Sequence, residues 1–395
     1  MSDAVTGARV DLDYDAVLRD ARERAGLGAF SDEFYLPVVR RLLEGFDHEA
    51  NLNATGRTIQ RERIVGQLAT NLRFESYWQQ YPEIAQEKIE APIVIVGFGR
   101  TGSTLLQRLL AADPRAHAPL WWEGRFPVPF AGESIENPEQ RIKTALAEVE
   151  MMYATVPGLE SIHPLDAMQA DEEILLLEQS FYSDTPESFA KVLEFGLWRE
   201  ALDQTPGYAY MKRMLQFLQW QKRKRGIVAE RWILKSPQHI HNCDVVLKVF
   251  PGARIVQTHR DPVETIPSWA SLCFSLWQQS SDTADPVVCG KHWDEKMARG
   301  IRKCMAVRDA GNADKFLDVD YRDTGSDPLG VAARICEFVG WEYTPAARAA
   351  QTRWLEANRR DLRPPHEYEP ATFGYTEAGL KARYREYRER FVREA

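Results

Sequence analysis

Three short segments carry side chains suited to holding a polyanion. The first is Gly97–Thr104, GFGRTGST, with Arg100 at its centre. The second is Lys235–Asn242, KSPQHIHN, and the third is His259–Ser268, HRDPVETIPS, which contains Arg260. Each leaves an apolar, β-branched stretch: PIVIVG, RWILK and ARIVQTH. Such stretches read as parallel strands buried on both faces. Ligands of open parallel sheets bind beyond the carboxyl ends of the strands. Arg100, Lys235 and Arg260 can therefore converge on one ligand, and three cations gathered there repel one another unless an anion lies between them.

The glycine segment has the Gly97-x4-Gly102 spacing of a triphosphate-binding loop. It lies between a predicted strand and a predicted helix, where free backbone N–H groups and the helix dipole attract an anion. A triphosphate loop continues with Lys and then Ser or Thr. Here Ser103 stands at the lysine position, and Arg100 supplies charge from inside the loop. Asp318 and Asp320 are weak candidates for holding magnesium. The pattern argues against ordinary ATP or GTP hydrolysis.

Positioning three strand ends side by side requires alternating strands and helices. Residues 11–90 read as helical, from the spacing of Leu36, Val39, Leu42 and Leu43 and of Ile64, Leu68 and Leu72. Beyond Ala91, strands are expected at 92–97, 231–235, 253–259 and 315–321. Helices are expected at 102–112, 172–182, 189–202, 211–224, 239–250, 262–278 and 328–339, with a charged amphipathic helix at 376–395. The expectation is an α/β fold: a P-loop-type parallel sheet flanked by helices, with helical N-terminal and middle segments. It divides into a helical segment over 1–90, a core over 91–345 with a helical insertion at about 124–230, and a C-terminal segment over 346–395. The basic run Lys222–Arg225 reads as a solvated helix end.

Composition limits what such a fold can do. The 395-residue chain has a net charge of -8, which disfavours a nucleic-acid binder. Its five cysteines, Cys243, Cys273, Cys289, Cys304 and Cys336, contain no CxxC pair. They suit reduced thiols and give no zinc-site spacing, so no metal is expected. The N-terminus is acidic and polar without a signal-peptide pattern. No apolar run approaches the ~20 residues that span a bilayer. A cytoplasmic protein is expected, and a homodimer on general frequency.

Together, GFGRTGSTLL, LKSP and IVQTHRDPVETIPSW resemble the motifs of the sulfotransferase family that uses 3′-phosphoadenosine 5′-phosphosulfate, in particular its bacterial branch, which is related to the tyrosylprotein branch. The resemblance covers roughly residues 91–123 and 231–340. It implies that Arg100, Thr101, Gly102, Ser103, Thr104 and Leu105 hold the 5′-phosphosulfate, and that Arg260 and Ser268 hold the 3′-phosphate. It implies that Lys235 reaches the transferring group, and that adenosine 3′,5′-bisphosphate is the product. The acceptor would be a small molecule with a hydroxyl or amine. Trp121, Trp122, Phe181, Tyr182 and Trp198 hint at an aromatic or lipid-like one, although aromatic residues more often build the core. Two residues compete as general base. Glu123 follows the first motif at the distance of a family glutamate, beside tryptophans that can raise its pKa by desolvation. His239 follows Lys235, with a wider gap than the family's histidine has. The segment 363–375 is a candidate lid. The alternatives are a P-loop kinase or nucleotidase, and a non-catalytic nucleotide-binding protein on the same fold.

Overall fold

The computed structural model describes residues 9–155, 164–358 and 367–393. Among the described residues, five parallel strands form one sheet in the order β2-β3-β1-β4-β5: β1 Ile93–Gly97, β2 Ala116–His117, β3 Arg231–Lys235, β4 Arg254–His259 and β5 Phe316–Asp320. The strand residues of β1 are all buried. Their period-two alternation feeds two cores. Val94 and Val96 join a large cluster on one face, while Ile93 and Ile95 join Leu106, Leu109 and Val256 on the other. Register pairs Ile95 with Lys235 and Gly97 with Thr258, so the carboxyl ends of β3, β1 and β4 lie together.

The long N-terminal helices Tyr14–Ala25, Leu36–His48 and Ala54–Gln80 supply Val17, Leu42 and Leu68 to the same cluster as Val94. No described helix is long and apolar enough to cross a membrane.

Four local expectations are corrected. The stretch 239–250 is not one helix. Ser236 caps a tight 3₁₀ turn, Pro237–His241, and an α-helix follows at Cys243–Val249. The stretch 172–182 breaks into two short turns that end at Phe181, which has φ 62°. The C-terminal stretch forms two helices, Glu377–Arg383 and Arg385–Phe391, with residues 394–395 outside the described ones. Lys222 and Arg225 are not solvated. Lys222 continues the buried Leu215, Leu218 face of the helix Thr205–Lys224 at helical spacing, and both cations turn inward onto Glu123. Of the candidate lid, residues 363–366 lie outside the described ones. Tyr368 donates its hydroxyl proton to the Glu264 carbonyl at 2.9 Å.

Candidate active site

The glycine segment turns from β1 into the helix Ser103–Ala111. Two glycines there are required for different reasons. Gly102 has φ 78°, a left-handed conformation that suits a residue without Cβ. Gly99 is required by space, because a Cβ would come within 2.2 Å of the Trp269 ring. Thr101 pins the loop, donating to the Phe98 carbonyl at 2.8 Å and meeting the Thr258 hydroxyl at 2.7 Å.

Arg100 is left-handed as well, at φ 71°. A non-glycine residue held there costs about 1–2 kcal/mol. Its neighbours explain how it persists. Arg100 Nε donates to Ser268 Oγ at 3.1 Å, and Arg260 Nη1 donates to the Arg100 carbonyl at 3.1 Å. Arg260 also lies over the Tyr321 ring, 4.3 Å from its centroid, and pairs with Glu264. The structure thus brings Arg100, Arg260 and Ser268 into one group.

Lys235 closes the other side of the loop. Its side chain is 1% exposed, and Nζ donates to Thr104 Oγ1 at 3.2 Å. The same ammonium is paired with Glu172. Burial pushes the Glu172 carboxyl above its ordinary pKa, more than Lys235 pulls it down. Glu173, fully buried, accepts from the Lys235 backbone N–H at 2.7 Å and holds His239 Nε2. The other His239 nitrogen meets the Tyr208 hydroxyl at 2.9 Å. Both ring nitrogens are therefore engaged, and His239 fixes the turn beyond Lys235.

Glu123 sits elsewhere. It is 1% exposed, in the five-residue helix Trp121–Arg125, and its oxygens accept from Lys222 Nζ, Arg225 Nη2 and the Leu120 backbone N–H. Burial pushes its carboxyl up, but Lys222 and Arg225 outweigh burial and hold it below its ordinary pKa. The expectation that tryptophans raise its pKa is thereby corrected. Two cations from distant sequence overcome the desolvation, and a carboxylate this committed is a poor proton acceptor. Trp121 and Trp122 pack with Ala145 and Val149.

Glu172 and Glu173 are the site residues that sequence reasoning passed over. The run Asp171–Glu173 before four apolar residues was the available signal, since three adjacent acids heading a buried segment need cations.

The C-terminal helices brace the same site. Phe98 of the glycine segment packs edge-on against Tyr384 and Tyr387, with ring centroids at 5.7 and 5.3 Å. The Tyr387 hydroxyl meets His259 Nδ1 at 2.9 Å. Arg388 grips the Asp261 carboxylate, with Nη2 to Oδ2 at 2.9 Å, on the far side of Arg260 in sequence.

This arrangement offers a basic, amide-rich cradle at three strand ends, an ammonium beside a helix-start hydroxyl, and a carboxylate of raised pKa. It can bind a polyanion, offset charge building on an oxygen, and take up a proton. Residues 92–345 match the family model described as the sulfotransferase family. The crystal structure of sulfotransferase STF1 from Mycobacterium tuberculosis H37Rv is similar, with TM-score 0.83 and 29% identity, covering 96% of this chain and 99% of that one. That of sulfotransferase STF9 from Mycobacterium avium has TM-score 0.86 and 25% identity, covering 100% of this chain and 99% of that one. An omega-hydroxy-beta-dihydromenaquinone-9 sulfotransferase, Stf3, of Mycobacterium bovis is 25% identical over 273 residues, 64% of this chain. The chain spans 63% of the length of that relative.

Proposed function

The chain belongs to the sulfotransferase family, and from that premise we propose that it moves a sulfonate group from 3′-phosphoadenosine 5′-phosphosulfate to a hydroxyl of a small, lipid-like acceptor. One observation carries the reading: the buried Lys235 ammonium stands between Thr104, at the start of the helix behind the glycine loop, and Glu172. That is where an oxygen leaving sulfur needs a cation and an attacking hydroxyl needs a base.

In this reading Arg100 and the backbone N–H groups of Thr101–Leu105 hold the 5′-phosphosulfate, with Ser103 and Thr104 adding hydroxyl donors. Arg260 and Ser268 hold the 3′-phosphate. The acceptor oxygen attacks sulfur in line, the bond from sulfur to the bridging oxygen breaks, and adenosine 3′,5′-bisphosphate departs. Lys235 offsets the negative charge that gathers on the departing oxygen. Donor binding draws the ammonium toward the phosphosulfate and frees Glu172, which takes the acceptor proton in place of Glu123 or His239. The apolar acceptor is suggested by the menaquinone derivative in the name of the Mycobacterium bovis relative. The five cysteines are buried and free, with Cys243 and Cys304 sulfurs 3.4 Å apart and unbridged. A reducing, cytoplasmic setting is part of this reading, as cysteines without CxxC spacing suit. Residues 91–345 form the catalytic core in this reading, with the described residues of the segment 1–90 packed on it and residues 1–8 outside the described ones.

Calorimetric titration with adenosine 3′,5′-bisphosphate, without metal, tests the donor class. Arg260→Ala removes a charged hydrogen-bond partner of about 1.5–3 kcal/mol, so affinity should fall about tenfold to a hundredfold. Magnesium-ATP should bind weakly or not at all. A chain that prefers magnesium-ATP, or ignores the bisphosphate, belongs to the kinase reading instead.

Arg388 has a smaller expected effect. Its ion pair with Asp261 is partly exposed, with Arg388 28% accessible, so it contributes at most about 1 kcal/mol. Arg388→Ala should lower stability by no more than that and raise the bisphosphate dissociation constant by at most about threefold to fivefold, with kcat nearly unchanged. Unchanged donor affinity would remove the C-terminal helices from a positioning role.

A further inference from the structure

Behind the turn Pro237–His241 lies a second polar space. Loop residue Asp184, the helix Leu193–Glu200, that turn and the helix Pro286–Val307 enclose a cavity of about 150 Å³, lined by none of the residues assigned to the donor. Four cationic side chains line it: Arg199, Lys296, Arg299 and Lys303. Two carboxylates, Asp184 and Glu200, face them. Glu187 pairs with Arg199 and Lys296, Glu200 with Arg299, and Asp244 with Lys303, so the cations gathered here are held in place by carboxylates.

The interior is buried and incompletely bonded. Lys296 is 1% exposed and Arg199 2%. Glu187, behind the wall, orients both of them, accepting from Arg199 Nη2 and Lys296 Nζ at 3.1 Å each. Arg199 Nε and His241 Nε2 are buried without a hydrogen-bond partner. An acceptor in the cavity would complete the bonding of Arg199 Nε, and of His241 Nε2 in the tautomer that carries the proton there. Room for the imidazole exists because residue 300 is glycine, where a Cβ would stand 2.6 Å from the His241 ring. Burial, and then Lys296, push the His241 pKa down to about 3, as expected of a ring facing a positive wall. Burial pushes Asp184 up, so its carboxyl can carry the proton that a bound oxyanion would accept. Arg299 and Lys303 are 33% and 48% exposed and stand at the mouth.

We propose that this cavity binds a small tetrahedral oxyanion, inorganic phosphate or sulfate, with Arg199, Lys296 and His241 inside and Arg299 and Lys303 at the entrance. Gln238, which lines the cavity, ties the turn to its surroundings. It accepts from the Asp184 backbone N–H and donates to the Tyr182 carbonyl, both at 2.9 Å. Its chain neighbour His239 holds Glu173. An occupied cavity therefore stiffens the turn that follows Lys235.

The test uses the full chain carrying Arg260→Ala, so that phosphate affinity at the donor site is weakened. Phosphate and sulfate are titrated by calorimetry against chloride at equal ionic strength. Saturable binding of the oxyanions is expected, absent for chloride, and weakened at least tenfold when Arg299→Gln and Lys303→Gln are added. Arg299 donates twice to Glu200 and Lys303 stands 3.4 Å from Asp244, so melting in chloride is followed alongside and affinities are compared well below both transitions. Independently of the mouth variants, the His241 imidazole nitrogen resonances, assigned with His241→Gln, should shift as phosphate saturates. Non-saturating heats, binding indifferent to the mouth variants, or unmoved His241 resonances would each overturn the proposal. Because the cavity shares no residue with the donor site, its failure leaves the sulfotransferase reading standing, and the reverse holds as well.

Discussion

Replacing Lys235 by methionine is expected to lower kcat by about 10²–10³-fold, the usual cost of deleting one preorganised group that stabilises transition-state charge. Methionine keeps most of the buried volume, so lost packing is not the cause. Affinity for adenosine 3′,5′-bisphosphate should change by a few-fold at most, because Arg100, Arg260 and Ser268 remain. The pH profile gives a second readout. Glu172 must be deprotonated to act as base, so activity should fall as pH drops through its pKa, which burial sets above the ordinary carboxylate value. Without the Lys235 ammonium that pKa rises further, and the acidic limb should move to higher pH. Glu172→Gln should cost about 10²–10⁴-fold and abolish that limb. Melting curves taken alongside separate a lost cation from a lost fold. Near-normal kcat in the Lys235 variant would remove the ammonium from the mechanism.

The second large effect concerns stability. Glu123→Gln leaves Lys222 and Arg225 facing an amide in a site where Lys222 is 6% and Arg225 10% exposed. Breaking a buried pair by removing one partner costs about 3–5 kcal/mol, because the remaining charge stays buried and uncompensated. Denaturant unfolding should show that loss, and adding Lys222→Met should recover much of it. Activity per folded molecule should be unchanged. The sign with pH follows from the lowered pKa of Glu123 in the folded chain. Its contribution is fully present above the ordinary carboxylate pKa and disappears as pH falls through the folded value. Full stability with lost activity would restore Glu123 as the catalytic base.

The contrast between these two carboxylates shows where sequence reasoning reaches and where it stops. Strands such as PIVIVG were legible because burial on both faces writes itself as a continuous apolar run. The cations Arg100, Lys235 and Arg260 were legible because each stands at or just beyond the end of such a run, and parallel topology gathers those ends. Strand β2 was not, since two residues carry no period. Glu172 and Lys235 meet across 63 positions, and Glu123 meets Lys222 across 99. No local pattern announces pairs of that separation. The aromatic neighbours of Glu123 suggested a raised pKa, and the distant cations reverse it. The inward turn of Lys222, by contrast, was readable from its spacing to Leu215 and Leu218.

The bracing of Phe98 by Tyr384 and Tyr387 also has a consequence for biosynthesis. A ribosome delivers the glycine segment long before it delivers residues 384–391, and domains begin to fold while they emerge. Until those last helices arrive, Phe98 lacks its aromatic cover, and His259 and Asp261 lack the hydroxyl and guanidinium that hold them. The nascent chain can assemble its central strands, yet its anion cradle stays loose. That interval is when the exposed ring is most available to chaperones, and when an arrested or truncated product is most prone to aggregate. In the proposed reading, competence to hold the donor is then a late event in the making of this protein.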